Sequence, residues 1–452
     1  MDQVEMELIQ ERINQLIEQR KWKSLREVVA DVPPPDLADL LVQVKEPDRV
    51  LLFTSLPRAL ASDVFSYLEP SEKDEMLTEL TDEETRRLLA DLPPDERTSL
   101  LENLPGVATQ RVLNLLSPKD LEQTRVLLGY PDESVGRLMR PDYVAVRPDW
   151  TIARALEHIR ARGKDIETIS IIYVADSSWH LLDALELQRF ILADPNDKVE
   201  SIMDQSYIGL NALEDQEEAV RTMDRYDLYA VPVMDDENIL LGIVTVDDIL
   251  DVAREEATED FHKFAAVTPL KDSYRETSQI RLYRKRIGWL IVLVGVNLIS
   301  SSIIAFYEET LQTLFTLAFF IPLLIGTGGN TGAQSATLMV RALATDDLAI
   351  SDWLRTLLKE IVVGGLLAFT MAVATFPLGF WRGELAVAII VSATMASIVM
   401  LANLVGMSLP FLMTRLKLDP AVASSPLITT VMDALGLLIY FAIASYVLVT
   451  FF

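Results

Sequence analysis

The 452-residue sequence contains no cysteine and only three histidines, His158, His180 and His262. Disulfide frameworks and thiolate zinc or iron–sulfur sites are thereby excluded. There is no phosphate loop closing on a lysine, no nucleophile elbow and no metalloprotease helix, so no enzymatic activity is expected. The N-terminus, MDQVEMELIQERINQLIEQRKW, is charged from its second residue and has no apolar run, so a signal peptide is not expected. Charge runs short at the other end: from Ile287 to Phe452 there are only nine acids and six bases. Residues 1–286 therefore carry 24 of the chain's 27 net negative charges. Such a surplus repels phosphate backbones and argues against a nucleic-acid partner. It also repels itself unless screened, and divalent cations are the natural counter-charge. A plainly solvated acidic surface is the competing reading.

A helix crossing roughly 30 Å of hydrocarbon needs about 20 mostly apolar residues. Five stretches qualify: Ile287–Tyr307, Leu314–Val340, Leu357–Phe380, Leu385–Leu412 and Ala421–Phe452. Arg281, Arg284, Lys285 and Arg286 precede the first, Glu308 and Glu309 follow it, and Arg341, Arg355 and Lys359 separate the second from the third. A tight WRGE (Trp381–Glu384) joins the third to the fourth, and Arg415 and Lys417 precede the fifth. By the excess of bases on the cytoplasmic side, the large acidic part lies inside and the C-terminus outside.

The spans are more than anchors. The second contains Pro322 and then GTGGNTGAQSAT (Gly326–Thr337), with Asn330 and Gln334 four apart on one helix face. Small residues let helices approach closely; two amides on one face also suit a water-lined surface. The fifth carries Asp433, expected near the midplane, where an ionised carboxylate is costly without water, a cation or a partner. Ser425, Thr429 and Asp433 make one polar stripe, and no base occurs at similar depth. A cation pathway is the reading favoured over a protonated, hydrogen-bonded aspartate. An odd number of spans prevents two equal inverted halves in one chain, whereas a two-fold homodimer brings two copies of Asp433 to one axis. Without thiolate or imidazole in the spans, hard ions are favoured. Magnesium, which keeps several waters, suits carboxylates, hydroxyls and carbonyls; manganese and cobalt stay open.

Residues 1–130 show a twelve-residue repeat: Leu56, Leu68, Leu80, Leu92, Leu104 and Leu116, with Val32 and Val44 upstream. Each leucine precedes a helix-start signal of proline or a capping residue with acids behind it. The expectation is a small superhelix of short helices, each burying its leucine face on its neighbours. Residues 131–256 read strand, helix, strand, strand, helix, twice: Tyr143–Val146 and Thr168–Val174 in one copy, Tyr207–Leu210 and Tyr229–Leu250 in the other. This order resembles a pair of CBS domains, a nucleotide-sensing module. Thr245 and Asp248 match the T-x-x-D of that family, implying contacts to an adenine nucleotide such as ATP; the first copy, SSWHLLDALELQRF, lacks the motif. Asp248, Asp251, Glu255, Glu256, Glu259 and Asp260 then line one helix face, and Thr268–Arg286 reads as a basic, mostly helical connector.

Taken together, PLLIGTGGNTGAQSATLMVRALAT, ANLVGMSLPFL and DPAVASSPLITTVMDALG make the chain resemble the MgtE family of magnesium channels over essentially its whole length. The resemblance implies a multidomain integral membrane protein of the bacterial inner membrane, acting as a homodimer. Its parts would be a helical repeat domain (1–130), tandem α+β CBS domains (131–256), a plug helix (257–286) and a five-helix pore domain (287–452). It implies Asp433 as the pore carboxylate for magnesium. It also implies regulatory magnesium on Glu217, Asp227, Asp248, Asp251, Glu256, Glu259 and Asp260, with Asp419 at the membrane face. Asp91 and Asp95 are the expected ligands from the repeat domain. Filled sites would hold the pore closed at high cytosolic magnesium. Ala333 departs from the polar residue many relatives carry there. The alternatives are a manganese or cobalt transporter and a non-transporting, membrane-anchored sensor.

Overall fold

A computed structural model describes residues 3–44, 46–164, 166, 168–270, 274, 277–313, 315–345 and 347–451. The chain forms two compact units, Met1–Arg254 and Glu255–Phe452.

In the first unit, helices begin at residues 34, 46, 58, 70, 82, 94, 106 and 118, twelve apart throughout. The periodic leucines sit at the joints between helices and are buried in the core, with Leu116 packed against it. Leu80, Leu92, Leu104 and Leu116 have extended backbones, with ψ of 145°, 139°, 145° and 146°. A proline follows Leu92 and Leu104 and drives each out of the helical region. Where no proline follows Leu80, a capping box restarts the chain: Thr81 Oγ1 accepts the Glu84 N–H and the Glu84 carboxylate accepts the Thr81 N–H. Each helix buries other residues on the same period, including Leu52–Phe53, Val64–Phe65, Met76–Leu77, Leu88–Leu89 and Leu100–Leu101. Arg58 pairs with Asp91 (2.9 Å) and Arg111 with Asp82 (2.9 Å), which stacks alternate helices.

Two three-stranded sheets follow. In one, β1 (Ala145–Val146) runs parallel to β2 (Ile171–Ala175), which is antiparallel to β3 (Leu181–Glu186). In the other, β4 (Leu210–Asn211), β5 (Ala230–Met234) and β6 (Leu240–Thr245) repeat that pattern, with a register shift at the equivalent place. The sheets meet through Tyr173, Leu181, Met234, Leu240 and Ile243. The helix after β6, Val246–Phe264, carries the chain from one unit into the other.

Among the described residues, the second unit holds five helices long and apolar enough to cross a membrane: Gln279–Phe306, Phe315–Ala344, Ile350–Gly383, Leu385–Arg415 and Ser425–Thr450. Residues 271–273 and 275–276 of the expected connector, and Leu314 at the start of the second span, lie outside the described residues; the connector's described helix begins only at Gln279 and runs unbroken into the first span. The fifth span starts at Ser425, because Asp419 caps a 3-10 turn at Pro420–Val422 instead of entering the helix. Asp433 therefore sits about 12 Å along its helix, a third of the way from its start.

Between the third and fourth spans the chain reverses at WRGE. Gly379 lies against Ala388 and Gly364 against Asn403, pairs centred on the same point, so the third and fourth spans form an antiparallel hairpin. The glycine-rich second span packs at van der Waals limits: a Cβ on Gly332 would stand 2.8 Å from Ile428 Cγ2 and 3.4 Å from Ala402 O. Gly332→Leu is therefore expected to cost about 1–3 kcal/mol through overpacking. It should lower the melting temperature and the monodisperse yield of detergent-solubilised protein; an unchanged melt would contradict the close packing.

Candidate permeation site

Asp433 is half-buried within an apolar helix, and its Oδ1 is buried without a hydrogen-bond partner. No ion pair to it is formed among the described residues. The second span meets the fifth where Gly329 faces Thr429 and Gly332 faces Ile428 and Met432. Thr429 thus lies in the contact, with its hydroxyl donating to Ser425 O (2.9 Å), and Asp433 follows one turn on. Asn330 and Gln334 are exposed in the single chain, beside those packed glycines. A hydroxyl and, one turn on, a carboxylate thus lie along the junction of two spans, with two exposed amides on the second span. This set suits a cation that keeps its water, because every donor is a hard oxygen.

The acids expected to bind regulatory metal are mostly held by bases. In the first unit, Arg140 lies between the repeat helices and the second sheet. Its main chain is pinned to Ile243 by two hydrogen bonds (2.8 and 2.9 Å), an approach that leaves no room for a Cβ on Gly242. Arg140 Nη2 then reaches Asp95 Oδ2 (3.2 Å) and Asp248 Oδ1 (3.1 Å), and its Nε donates to Asp248 Oδ2 (3.3 Å). Thr245 Oγ1 donates to that same Oδ2 (2.9 Å), so the two residues of the T-x-x-D motif are bonded to each other. Asp95 is only 8% exposed and its Oδ1 has no partner. Burial pushes its carboxyl up, Arg140 pulls it down, and Asp248 and Glu96 push again, leaving it at about 7. Asp248 is likewise raised, by burial against the pull of Arg140.

This has a pH consequence. Between its ordinary range near 4 and about 7, Asp95 binds a proton in the folded chain that the unfolded chain does not bind. Stability at this contact is therefore expected to fall as pH rises across that window. Thermal melts at pH 5 and pH 8 with a chelator present would show the fall, and Asp95→Asn should flatten it. A fall of equal size in the variant would assign the effect to another group.

In the second unit, Lys263 pairs with Glu259 and with Asp419 Oδ2 (2.6 Å), while Asp419 Oδ1 accepts the Ala421 N–H (2.7 Å). Burial opposes the charge on Lys263, but the two carboxylates outweigh it and hold the ammonium well above its usual range. Asp91 pairs with Arg58, Glu217 with Arg221 and Asp251 with Arg254. Asp227 is the left-handed cap of its helix (φ 52°), and Glu256 and Asp260 are half-buried on Val246–Phe264. Among the described residues, no three metal-ligating side chains gather at one point. Sequence reasoning names Asp95, Asp248, Glu259 and Asp419 as ligands, but the structure alone pairs Asp95 with Asp248 and Glu259 with Asp419, through cations the sequence reading misses. Lys263 had a cue, as a base directly after an acidic run; Arg140 had none.

Comparisons with known proteins agree with this architecture. The family model described as a divalent cation transporter, MgtE, matches residues 321–443, the MgtE intracellular N domain matches 32–133, and CBS domains match 135–187 and 199–255. The chain is 41% identical to the magnesium transporter MgtE of Thermus thermophilus, covering 96% of this chain and 98% of that protein. It is 32% identical to the magnesium transporter MgtE of Bacillus subtilis, over 96% of each. The crystal structure of the cytosolic domain of the Mg2+ channel MgtE in complex with ATP superposes at a TM-score of 0.51, with 36% identity over 53% of this chain and 98% of that one. The soluble part of a magnesium transporter gives 0.53, with 29% identity over 56% and 99%. With the MgtE intracellular N domain, paired CBS domains and the divalent cation transporter model matched in turn along it, and a relative 41% identical over nearly its whole length, the chain belongs to the MgtE family of divalent cation transporters.

Proposed function

We propose that this chain carries Mg2+ across the bacterial inner membrane through a passage lined by Asp433, Thr429, Asn330 and Gln334. One observation carries the reading: a carboxylate oxygen is buried inside an apolar span with nothing to satisfy it. Such an atom is costly unless a cation or water visits it. Two chains related by a two-fold axis would present two such carboxylates to one hydrated ion, and lipid would cover the remaining apolar faces. The first unit lies in the cytoplasm and the C-terminus outside, following the distribution of bases between spans.

The acidic first unit acts as the sensor, with domains at 1–130 and 131–256 joined to the spans through 257–286. Regulatory Mg2+ would be held by Asp95 and Asp248, by Glu259 and Asp419, and by Asp91, Glu217, Asp227, Asp251, Glu256 and Asp260 where a second chain completes each set. The unpartnered Asp95 Oδ1 fits such an ion. Arg140 and Lys263 already neutralise two of these pairs, so the ion must share or displace them. When cytosolic Mg2+ falls, the carboxylates repel and the passage opens. An adenine nucleotide, which a relative's cytosolic domain binds, would here use Thr245 and Asp248 and so compete with Arg140 for the same carboxylate.

Reconstitution into vesicles containing a magnesium-sensitive dye tests this reading. Flux is expected down the membrane potential, worth about 2.3 kcal/mol per charge per 100 mV, and it should be suppressed by millimolar Mg2+ on the cytoplasmic face. Absence of flux would favour a sensor that does not transport. Flux of Mn2+ or Co2+ at the expense of Mg2+ would reassign the cargo.

A further inference from the structure

A second carboxylate lies buried among the spans. Glu360, in the third span, is 9% exposed, and Asn403, in the fourth, is 3% exposed. The Asn403 amide donates to Glu360 Oε2 (2.9 Å) and to Glu360 O (3.0 Å). The main-chain oxygen of Asn403 in turn accepts the hydroxyl of Ser335 (3.0 Å), itself 4% exposed and next to Gln334 in the second span. Gly364, one turn beyond Glu360, brings the third span against this amide; a Cβ there would stand 2.9 Å from Asn403 Nδ2. No basic side chain pairs with Glu360 among the described residues.

Depth ties this chain of bonds to Asp433. A Cβ at Gly332 would lie 3.4 Å from Ala402 O and 3.5 Å from Met432 Cγ. Asn403 and Asp433 are the residues that follow those two contacts, so they sit at about the same level of the bundle. The Glu360–Asn403–Ser335 chain therefore links three spans at the level of the unpartnered carboxylate. A buried carboxylate without a cation is expensive in a membrane. A leucine would pack the hairpin as well, so packing alone does not account for it.

We propose that Glu360 is a positioning residue for ion passage: it orients the Asn403 amide, which with Ser335 fixes the second span and so places Asn330 and Gln334 relative to Asp433. The inference rests on reading Asp433 as the permeation carboxylate.

The test is Mg2+ flux of the full chain in vesicles, measured over a range of Mg2+ concentrations, for wild type, Glu360→Gln, Glu360→Leu, Ser335→Ala and Asp433→Asn. Glu360→Leu leaves the amide without its side-chain acceptor, and the half-saturating Mg2+ concentration should rise about five-fold, the size of one lost hydrogen bond. Glu360→Gln retains an acceptor oxygen and should stay within about two-fold of wild type. Ser335→Ala should shift half-saturation in the same direction as Glu360→Leu. Lowered maximal flux in Glu360→Leu with unchanged half-saturation would mark a merely structural role and overturn the proposal. Glu360→Gln as impaired as Glu360→Leu would show that the charge acts on the ion itself, which also overturns it. Should Asp433→Asn conduct with wild-type half-saturation, the permeation reading fails first, and this proposal with it.

Discussion

Replacing Asp433 with asparagine is expected to abolish magnesium-dependent rescue of a transport-deficient bacterial strain, although the protein still reaches the membrane. The substitution keeps the side chain's shape and removes its charge. An ion in a low-dielectric bundle that loses one close carboxylate loses roughly 3 kcal/mol, or about 100-fold in affinity. In a two-fold assembly both copies change at once, so the loss at the axis is larger still. The asparagine should leave the fold intact or firmer, because it removes a buried charge while keeping the side chain's shape. The informative result is therefore a pair: a melting temperature equal to or above wild type, with flux gone. Asp433→Ala should fail in the same way. If both variants rescue growth as wild type does, the carboxylate is a structural feature, the passage lies elsewhere, and the sensor reading gains ground.

Much of this architecture is legible in the sequence because it is written in local periods. Leucines at twelve-residue spacing mark the helix starts at 34 to 118 without error. What the period cannot say is which role each leucine takes. The extended backbones of Leu92 and Leu104 follow from the prolines behind them, and the core pairs such as Leu88–Leu89 lie on a parallel register. The five spans and the WRGE reversal are equally legible, since apolar length and turn residues act locally. The first sheet appears even though its motif is absent, because strand pairing needs only the alternating apolar run.

The site is less legible, and for one physical reason. An acid's partner is set by tertiary contact, which no spacing records. Asp95 and Asp248 are 153 positions apart in sequence and meet through an arginine that stands near neither. Asn403 meets Glu360 only because the hairpin folds the fourth span back on the third. A dense acidic surface invites a metal reading, and composition cannot reveal that the chain's own cations neutralise part of it. The start of the fifth span is not legible from hydropathy alone, because Asp419 caps a 3-10 turn at Pro420–Val422 and the helix begins at Ser425, four residues after Ala421.

Arg140→Met should release the helix Pro94–Asn103 from the second sheet. It removes the guanidinium from between two carboxylates of which one, Asp95, is 8% exposed. Breaking a buried ion pair by deleting one partner costs about 3–5 kcal/mol, because the remaining charges stay buried and now repel. Hydrogen–deuterium exchange of the full chain in detergent reads this directly, as loss of protection in 94–103 and along Leu240–Thr245. Arg140→Lys should recover only part of it, since an ammonium cannot bond two carboxylates through a planar fork. The decisive arm adds magnesium. A divalent ion can take the place of the lost guanidinium between Asp95 and Asp248, and protection should return with millimolar Mg2+ but not with an equal ionic strength of NaCl. Recovery specific to Mg2+ would make this carboxylate pair a regulatory site and cast Arg140 as the internal cation against which magnesium competes. Protection lost and not recovered would make the contact structural and send the sensor's ions to other acids. Protection unchanged in Arg140→Met would mean that apolar packing alone docks the repeat helices, and the arginine would then have no part in gating.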